Sequence, residues 1–458
     1  MNDTNKPLFQ DFKPATKQEW IEKVNIDLKG SDFNKTLVWK NLSKVDFQPF
    51  YTKEDNQVLL NNTGKNSEAL INFRNIIVTT IESANALALK AVEEGMTGLL
   101  FSISSPVSAA QLLNGINLNE VTVSFNLNSH TVDFANDFIS FVDASKVTNL
   151  NGYINSNLIA NYVSTGNLDE NHFNIVADLI KATAKYPNFK ALTVSGNEYL
   201  NSGANQVQEV AYTLNSLIFI IEKLIEKGIS VQSIFDNLNF DFAIGSEYFI
   251  EIGKFRAFNT LLSEVALKYG ISKFSHTIIA KTSVWNKSIT DAHTNLLRAT
   301  TEAMSAATSG VHSIAILPYD MYSSNGTSVL AQRMAINIST ILQEESYLAK
   351  VVDPLGGSYT IELLTDQIAK RSWELFQKMD DNGGLFNESN QKELVDAIIQ
   401  KRQQRIDAFV SGKTVGIGMN KFKNPQETNV SWKLPSAYLG LSALILENEL
   451  TTQSVWKE

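Results

Sequence analysis

Two polar residues, Asn197 and Glu198, stand directly after the short apolar run ALTVSG and before a long helical pattern. In α/β proteins the loop that follows a strand is where catalytic groups concentrate. The chemistry available here is that of a carboxylate and an amide, because no histidine, cysteine or evident metal ligand accompanies the pair. The stretch is therefore either an unusual active site or the remnant of one.

The overall composition excludes several other classes of function. The chain contains no cysteine, which excludes a disulfide framework, a thiolate nucleophile and a cysteine metal site, and which fits a cytoplasmic location. With a net charge of −9 and no basic block, nucleic acid is a poor partner. No apolar run reaches the roughly 20 residues of a membrane span, and the polar N-terminus does not resemble a secretory signal.

The histidines do not form a metal-binding pattern, because no two of them have the i, i+4 spacing of a helical zinc site. They are His130, His172, His276, His293 and His312. We therefore expect this chain to bind no metal.

Alternating strand and helix patterns begin near residue 70 and predict a parallel sheet built from βα units. The runs that predict strands include TGLLFSIS, VTVSF, NGYINSN, ALTVSG, FDFAIG, FSHTIIAKTS, HSIAIL and YLAKVVDP. Their number suits a (β/α)8 TIM barrel over residues 71–385, although an open doubly wound sheet has the same periodicity. Residues 1–70 predict an arm with aromatic anchors such as Trp20 and Trp39, and residues 386–458 predict a helical extension.

Two segments in the second half of the predicted barrel contain the most distinctive sequence motifs of the chain. They are HTNLLRATTEAMSAATSGVHSIAI and LQEESYLAKVVDPLGGSYTIELL. Both resemble the methylmalonyl-CoA mutase family, whose text is close to NNxxRTTIEAM, ILQEE and VxDPxGGSYYVE. Matching positions include Asn295, Arg298, Glu302, Asp353 and Glu362. With weaker similarity at DLKGSDF and VGIGMNKF, the resemblance covers most of the chain and implies the same barrel fold.

The resemblance also implies a chemistry whose requirements can be compared with this sequence. Catalytic members of the family use adenosylcobalamin for radical chemistry on an acyl-CoA, and the histidine of a D-x-H-x-x-G motif binds the cobalt. The Asp-x-His of this chain is DAHTNL, with Asp291 and His293, and Leu296 replaces the glycine of the motif. The chain also ends where the family's cobalamin domain would begin. We therefore expect no cofactor to be bound by this chain.

Polar residues that the family's chemistry uses are replaced at several strand ends. At the fourth strand, Asn197 and Glu198 stand where the family has tyrosine and histidine. At the third strand Asn155 replaces glutamine, and the family's arginine for the substrate carboxylate has no counterpart. At the sixth strand Ile279 and Lys281 replace histidine and glutamine. We expect Glu198 to face the barrel mouth and to be neutralised by Lys281.

The seventh strand ends in Ala315, Ile316 and Leu317, where the family has polar residues, and this predicts a closed, packed mouth. Together the replacements imply a catalytically degenerate barrel that resembles the small, non-catalytic subunits of the family. A large subunit would then hold adenosylcobalamin and interconvert methylmalonyl-CoA and succinyl-CoA, with residues 1–70 of this chain wrapped around it in a heterodimer.

Two other functions stay open at this point. One is the barrel of a split mutase that is active with a separate cobalamin-binding chain. The other is a stand-alone acyl-CoA-binding protein. Weak binding of a CoA thioester to this chain stays open as well.

Overall fold

The structure is a computed structural model of the chain. It describes residue 9 and residues 11–55, 70–128, 133–159, 162, 168–324, 326–423, 441 and 444–454. The predictions made for the last part of the arm, at 56–69, and for much of the C-terminal tail lie outside the described residues.

Eight parallel strands close into a barrel. The described residues form eleven strand segments in all, which are β1 (Trp39–Lys40), β2 (Asp46–Phe47), β3 (Ile71–Val78), β4 (Gly98–Ile103), β5 (Thr122–Asn126), β6 (Gly152–Asn155), β7 (Phe189–Lys190), β8 (Leu192–Ser195), β9 (Leu238–Ile244), β10 (Thr277–Thr282) and β11 (Ser313–Ala315). All except the antiparallel pair β1 and β2 belong to one sheet with the order β7-β6-β5-β4-β3-β11-β10-β9-β8. Only Ala191 separates β7 from β8, so these two form one interrupted strand and the sheet has no free edge. The predicted TIM-barrel fold is confirmed.

The described helices surround this barrel and extend it at both ends of the chain. They are α1 (Lys17–Asp27), α2 (Phe33–Leu37), α3 (Ile81–Glu93), α4 (Ala109–Leu112), α5 (Phe134–Ala144), α6 (Glu170–Thr183), α7 (Asn197–Ser202), α8 (Gln206–Glu226), α9 (Val231–Asp236), α10 (Tyr248–Lys268), α11 (Thr294–Thr308), α12 (Val329–Glu344), α13 (Tyr359–Asp381), α14 (Glu388–Val410) and α15 (Leu446–Ser454). None of these described helices has the length and apolar character that crossing a membrane requires.

The strand predicted from YLAKVVDP is wrong. Residues 347–354 form turns and bends, and Val351 and Val352 are 61% and 43% exposed. The barrel is already closed by the pairing of β11 with β3, through Ser313 and Ile71, so a further strand has no edge to join. The apolar composition of this segment predicts a strand, but the closed sheet leaves it at the surface.

Apolar side chains fill the middle of the barrel. Because alternate residues of each strand point inward, one residue from each of five strands meets the others on the axis. These residues are Phe73, Leu100, Tyr153, Ile279 and Ala315, and they form a buried cluster separate from the main core between sheet and helices. We call this cluster the axial plug. A cavity of about 220 Å³ lies at the amino ends of the strands, where Phe73 and Tyr153 form part of its wall.

The segment that resembles DPxGGSYYVE holds a buried ion network. Arg256 on α10 is 1% exposed and donates hydrogen bonds to Asp353 and to Glu362, the latter at 2.6 Å. Gly357 N also donates to the Glu362 carboxylate at 2.9 Å, which joins the glycine turn to α13. These family-like residues therefore fasten α13 to α10, two helices that pack along each other.

Part of the arm packs on its own barrel. Val45 is fully buried, and its neighbour Ser43 donates a 3.1 Å hydrogen bond to Gln206 of α8. Asp46 N donates to Gln367 of α13 at 3.0 Å. In contrast, no residue of α1 is buried, although a capping box of Thr16 and Glu19 starts that helix.

Candidate functional site

The site proper is a polar cavity at the carboxyl ends of the barrel strands. Its volume is about 630 Å³, which is within the usual range for small-molecule sites. The polar residues in its lining are Asn75, Ser102, Asn126, Asn155, Asn157, Asn197, Glu198, Asn201, Asp241, Lys281, Tyr322 and the threonines Thr282 and Thr327. We call this space the mouth cavity. Four of the strand-end residues predicted from the sequence therefore meet in one cavity. They are Asn155, Asn197, Glu198 and Lys281.

The mouth cavity differs from the closed mouth that the sequence predicts. Leu317 contributes to its wall, but Ala315 and Ile279 lie deeper, in the axial plug. Two of the aliphatic replacements, Ile279 and Ala315, therefore fill the barrel axis and leave the mouth open. The alternation of side chains along each strand explains this. An inward-facing side chain that lies one layer below the mouth packs in the axial plug and does not reach the cavity.

A glycine sets the position of Glu198. A Cβ atom at Gly196 would lie 2.4 Å from Thr213 Oγ1 and 2.9 Å from Phe242, so no larger residue fits between the end of β8 and α8. The chain then forms the six-residue helix α7, in which Asn197 and Glu198 occupy the first turn. The helix ends at Gly203, whose φ of 116° favours glycine. The backbone on both sides of α7 therefore requires glycine, at Gly196 and at Gly203.

Asp241 forms the centre of the charged network. Its side chain is 2% exposed and its Oδ2 atom accepts a hydrogen bond from Lys281 Nζ at 2.6 Å. Asn155 Nδ2 donates to the same oxygen at 3.2 Å. The predicted pairing of Lys281 with Glu198 is therefore wrong, because the ammonium group is bound to a carboxylate on the neighbouring strand. Glu198 itself lines the cavity, as the sequence predicts.

Two carboxyl groups in the cavity have raised pKa values. Burial, and then the nearby Asp241 carboxylate, raises the pKa of Glu198 to about 7, while a hydrogen bond from Asn157 and the charge of Lys281 act in the opposite direction. Burial also raises the pKa of Asp241, against the opposing effect of Lys281. Among the described residues, one ammonium group thus serves two carboxylates, and these three side chains carry excess negative charge when both carboxylates are ionised.

Sequence reasoning missed Asp241. The run FDFAIG predicts a buried strand, and β9 is buried at every position. An aspartate in such a run is the signal that could have identified it, since a buried carboxylate needs a partner. The alternation of β9 places Asp241 on the inner side, opposite Ile279 and Ser195 of the neighbouring strands.

Comparison with known proteins decides the family. The sequence profile described as methylmalonyl-CoA mutase matches residues 45–437. This chain belongs to the methylmalonyl-CoA mutase family. The methylmalonyl-CoA mutase small subunit of Porphyromonas gingivalis is 30% identical over 447 residues, which cover 93% of this chain and 72% of that protein.

Other members of the methylmalonyl-CoA mutase family are similar over shorter stretches. The methylmalonyl-CoA mutase small subunit of Streptomyces virginiae is 30% identical over 66% of this chain and 50% of that protein. The methylmalonyl-CoA mutase of Escherichia coli is 31% identical over 70% of this chain and 46% of that protein. Matched regions thus span about half of the length of these two relatives.

The described residues do not fit the cobalt-binding group of the mutase family. His293, the histidine of DAHTNL, is exposed at the start of α11, and its ring packs on Tyr319 with centroids 5.0 Å apart. It does not line the mouth cavity, and no cluster of three or more metal-ligating side chains occurs among the described residues. Asp291, the other residue of this motif, meets the start of α11 through its backbone oxygen, which accepts hydrogen bonds from Thr294.

Proposed function

We propose that this chain is the small subunit of a heterodimeric methylmalonyl-CoA mutase and that its own barrel is catalytically degenerate. In this proposal a large subunit binds adenosylcobalamin and interconverts methylmalonyl-CoA and succinyl-CoA. The small subunit stabilises the assembly. The names of the Porphyromonas and Streptomyces relatives, both small subunits, support this role.

The axial plug is the observation that carries the proposal. A barrel that guides an acyl-CoA to its mouth along its axis needs a continuous passage, whereas here Phe73, Leu100 and Tyr153 meet Ile279 and Ala315 in the middle. Leu100 and Ile279 are fully buried. The 220 Å³ cavity at the amino ends of the strands and the mouth cavity have no lining residue in common. This packing argues against an acyl-CoA channel and favours a supporting role.

The charge of the mouth cavity supports the same conclusion. A methylmalonyl or succinyl group brings a carboxylate, but Glu198 and Asp241 already line the cavity and Lys281 is engaged by Asp241. Two like charges about 4 Å apart near a protein surface repel by about 4 kcal/mol. The cavity is therefore poorly suited to the acyl part of this substrate.

Three preparations test the proposal: the isolated chain, the isolated large subunit and the two co-expressed, each assayed with adenosylcobalamin and methylmalonyl-CoA. We expect co-purification of the two chains and turnover only where the large subunit is present. Titration of the isolated chain with succinyl-CoA should give no saturable binding. Turnover by this chain once a separate cobalamin-binding domain is added would overturn the proposal in favour of a split mutase. Tight CoA thioester binding without co-purification would indicate a stand-alone binder.

A further inference from the structure

The mouth cavity is rich in hydrogen-bond acceptors that have no donor. Among the described residues, Asn126 Oδ1, Asn157 Oδ1 and Asp241 Oδ1 are buried and unpartnered. All three residues line the cavity: Asn126 ends β5, Asn157 follows β6, and Asp241 lies within β9. Buried acceptors without a partner are uncommon in folded proteins, since an unpaired polar group destabilises the fold. A ligand or water that donates several hydrogen bonds would satisfy them together.

The charge of the cavity adds a second requirement. Asp241 uses Oδ2 for Lys281 and Asn155, which leaves Oδ1 unpaired within a side chain that is 2% exposed. Glu198 contributes a second carboxylate, and it is partly exposed towards the cavity that it lines. Because the described lining residues provide one lysine for two carboxylates, a positively charged donor is favoured over a neutral or anionic one.

We infer that the mouth cavity binds a small ligand that carries one or more protonated amino groups, with Glu198 and Asp241 as its charged acceptors and Asn126 and Asn157 as its neutral acceptors. A divalent metal ion fits less well, because Lys281 Nζ already occupies Oδ2 of Asp241 and no cluster of three metal-ligating side chains occurs in the described part of the chain. The inference is independent of the proposed assembly role, which assigns no ligand to this barrel and argues only against an acyl-CoA.

The protonation of Glu198 links binding to pH. The charged groups that act on it are Asp241 of β9 and Lys281 of β10, and Asn157 donates a hydrogen bond to it. Its neighbour Tyr199 is a further titratable group, on which Glu198 itself acts. Its pKa is raised to about 7, so a protonated amine is bound most favourably above that pH. An anionic ligand would show the opposite pH dependence.

Calorimetric titration of the full chain tests the inference, with 1,4-diaminobutane as the probe and succinate, of the same carbon length and opposite charge, as the matched anion. At about pH 8 the diamine should bind at least about tenfold more tightly than succinate. Its affinity should fall by several-fold at about pH 6 as Glu198 becomes protonated.

Three variants separate a specific site from general attraction to an acidic protein. Glu198→Gln should weaken diamine binding by about tenfold or more, whereas Glu374→Gln, an exposed position on α13, should leave it unchanged. Lys281→Met removes the competing ammonium and should strengthen binding. If the diamine shows no saturable binding, water alone fills the cavity and the inference fails. Equal affinities for Glu198→Gln and Glu374→Gln, or tighter binding of succinate, would also overturn it. The pH series on the unmodified chain decides the question if a variant does not fold.

Discussion

In the described part of the chain, Glu198 and Asp241 share the ammonium group of Lys281, which forms its ion pair with Asp241, and the pKa of Glu198 is raised to about 7. Lys281 lies 2.6 Å from Asp241, while Glu198 relies on a hydrogen bond from Asn157 and on the more distant lysine charge. Because desolvation disfavours the charged form of a carboxyl group, ionising Glu198 costs folding free energy.

This arrangement predicts that Glu198→Gln changes the pH dependence of stability. The pKa of Glu198 is raised from 4.5 to about 7, so between these values the folded protein binds more protons at this site than the unfolded chain does. The stabilising contribution of the protonated group is complete below 4.5 and is lost as pH rises through 7. The comparison uses the free energy of unfolding of the variant minus that of the unmodified chain. This difference should be roughly 1–3 kcal/mol more favourable to the variant at about pH 8 than at about pH 4.

Urea unfolding at several pH values measures this effect. The control is Glu374→Gln, whose side chain is exposed on α13 and whose stability curve should run parallel to that of the unmodified chain. If the Glu198→Gln curve is also parallel, the carboxyl group is not desolvated in the folded protein.

Between helices, the Arg256 network decides how α13 is held against α10. Arg256 and Glu362 have side chains that are 1% and 2% exposed, and their charged groups lie 2.6 Å apart. Removing one partner of such a buried pair leaves an uncompensated charge, which typically costs about 3–5 kcal/mol. We therefore predict a loss of this size in the free energy of unfolding for Arg256→Met.

The double variant Arg256→Met with Glu362→Gln should recover part of that loss, because it no longer buries an unpaired carboxylate. Lys370→Met is the matched control, since it removes the exposed α13 pair with Asp366 and should cost less than about 1 kcal/mol. Equal losses for Arg256→Met and Lys370→Met, measured by urea unfolding, would contradict a structural role for the network.

The elements show which parts of the architecture the sequence could reveal. Strand and helix periodicity predicted the barrel, because each βα unit is local in the chain. The strand predicted from YLAKVVDP was wrong because closure is a property of the whole sheet. The segment has the apolar composition of a strand, but the closed sheet offers it no edge, and Val351 and Val352 are exposed. The partner of Lys281 could not be predicted either, because it depends on the offset between β9 and β10, where Lys281 pairs with Ala243 and Asp241 with Ile279.

At the scale of the whole molecule, the proposed assembly requires a surface of this chain that contacts the large subunit. The segment around Val45 is fixed to the barrel by hydrogen bonds to Gln206 and Gln367, so it is part of this subunit's own fold. By contrast, α1 buries none of its residues, and Trp20 packs on rings of the arm itself, with centroid distances of 4.9 Å to Phe50 and 6.3 Å to Phe33. Aromatic residues are enriched in interface cores, which makes this part of the arm the best candidate for contact.

We therefore predict that deleting residues 1–37 weakens binding to the large subunit by about tenfold or more and changes the barrel's free energy of unfolding by less than about 1 kcal/mol. Val45→Ala should do the reverse, because it leaves a cavity at a fully buried position and costs about 1–3 kcal/mol while the folded fraction still binds. Surface-immobilised large subunit and urea unfolding measure the two quantities on the same preparations. If the deleted chain binds with unchanged affinity, the arm is not the contact. The interface would then have to use another exposed apolar surface, such as that of Val329 and Leu330 at the start of α12, which are 73% and 53% exposed.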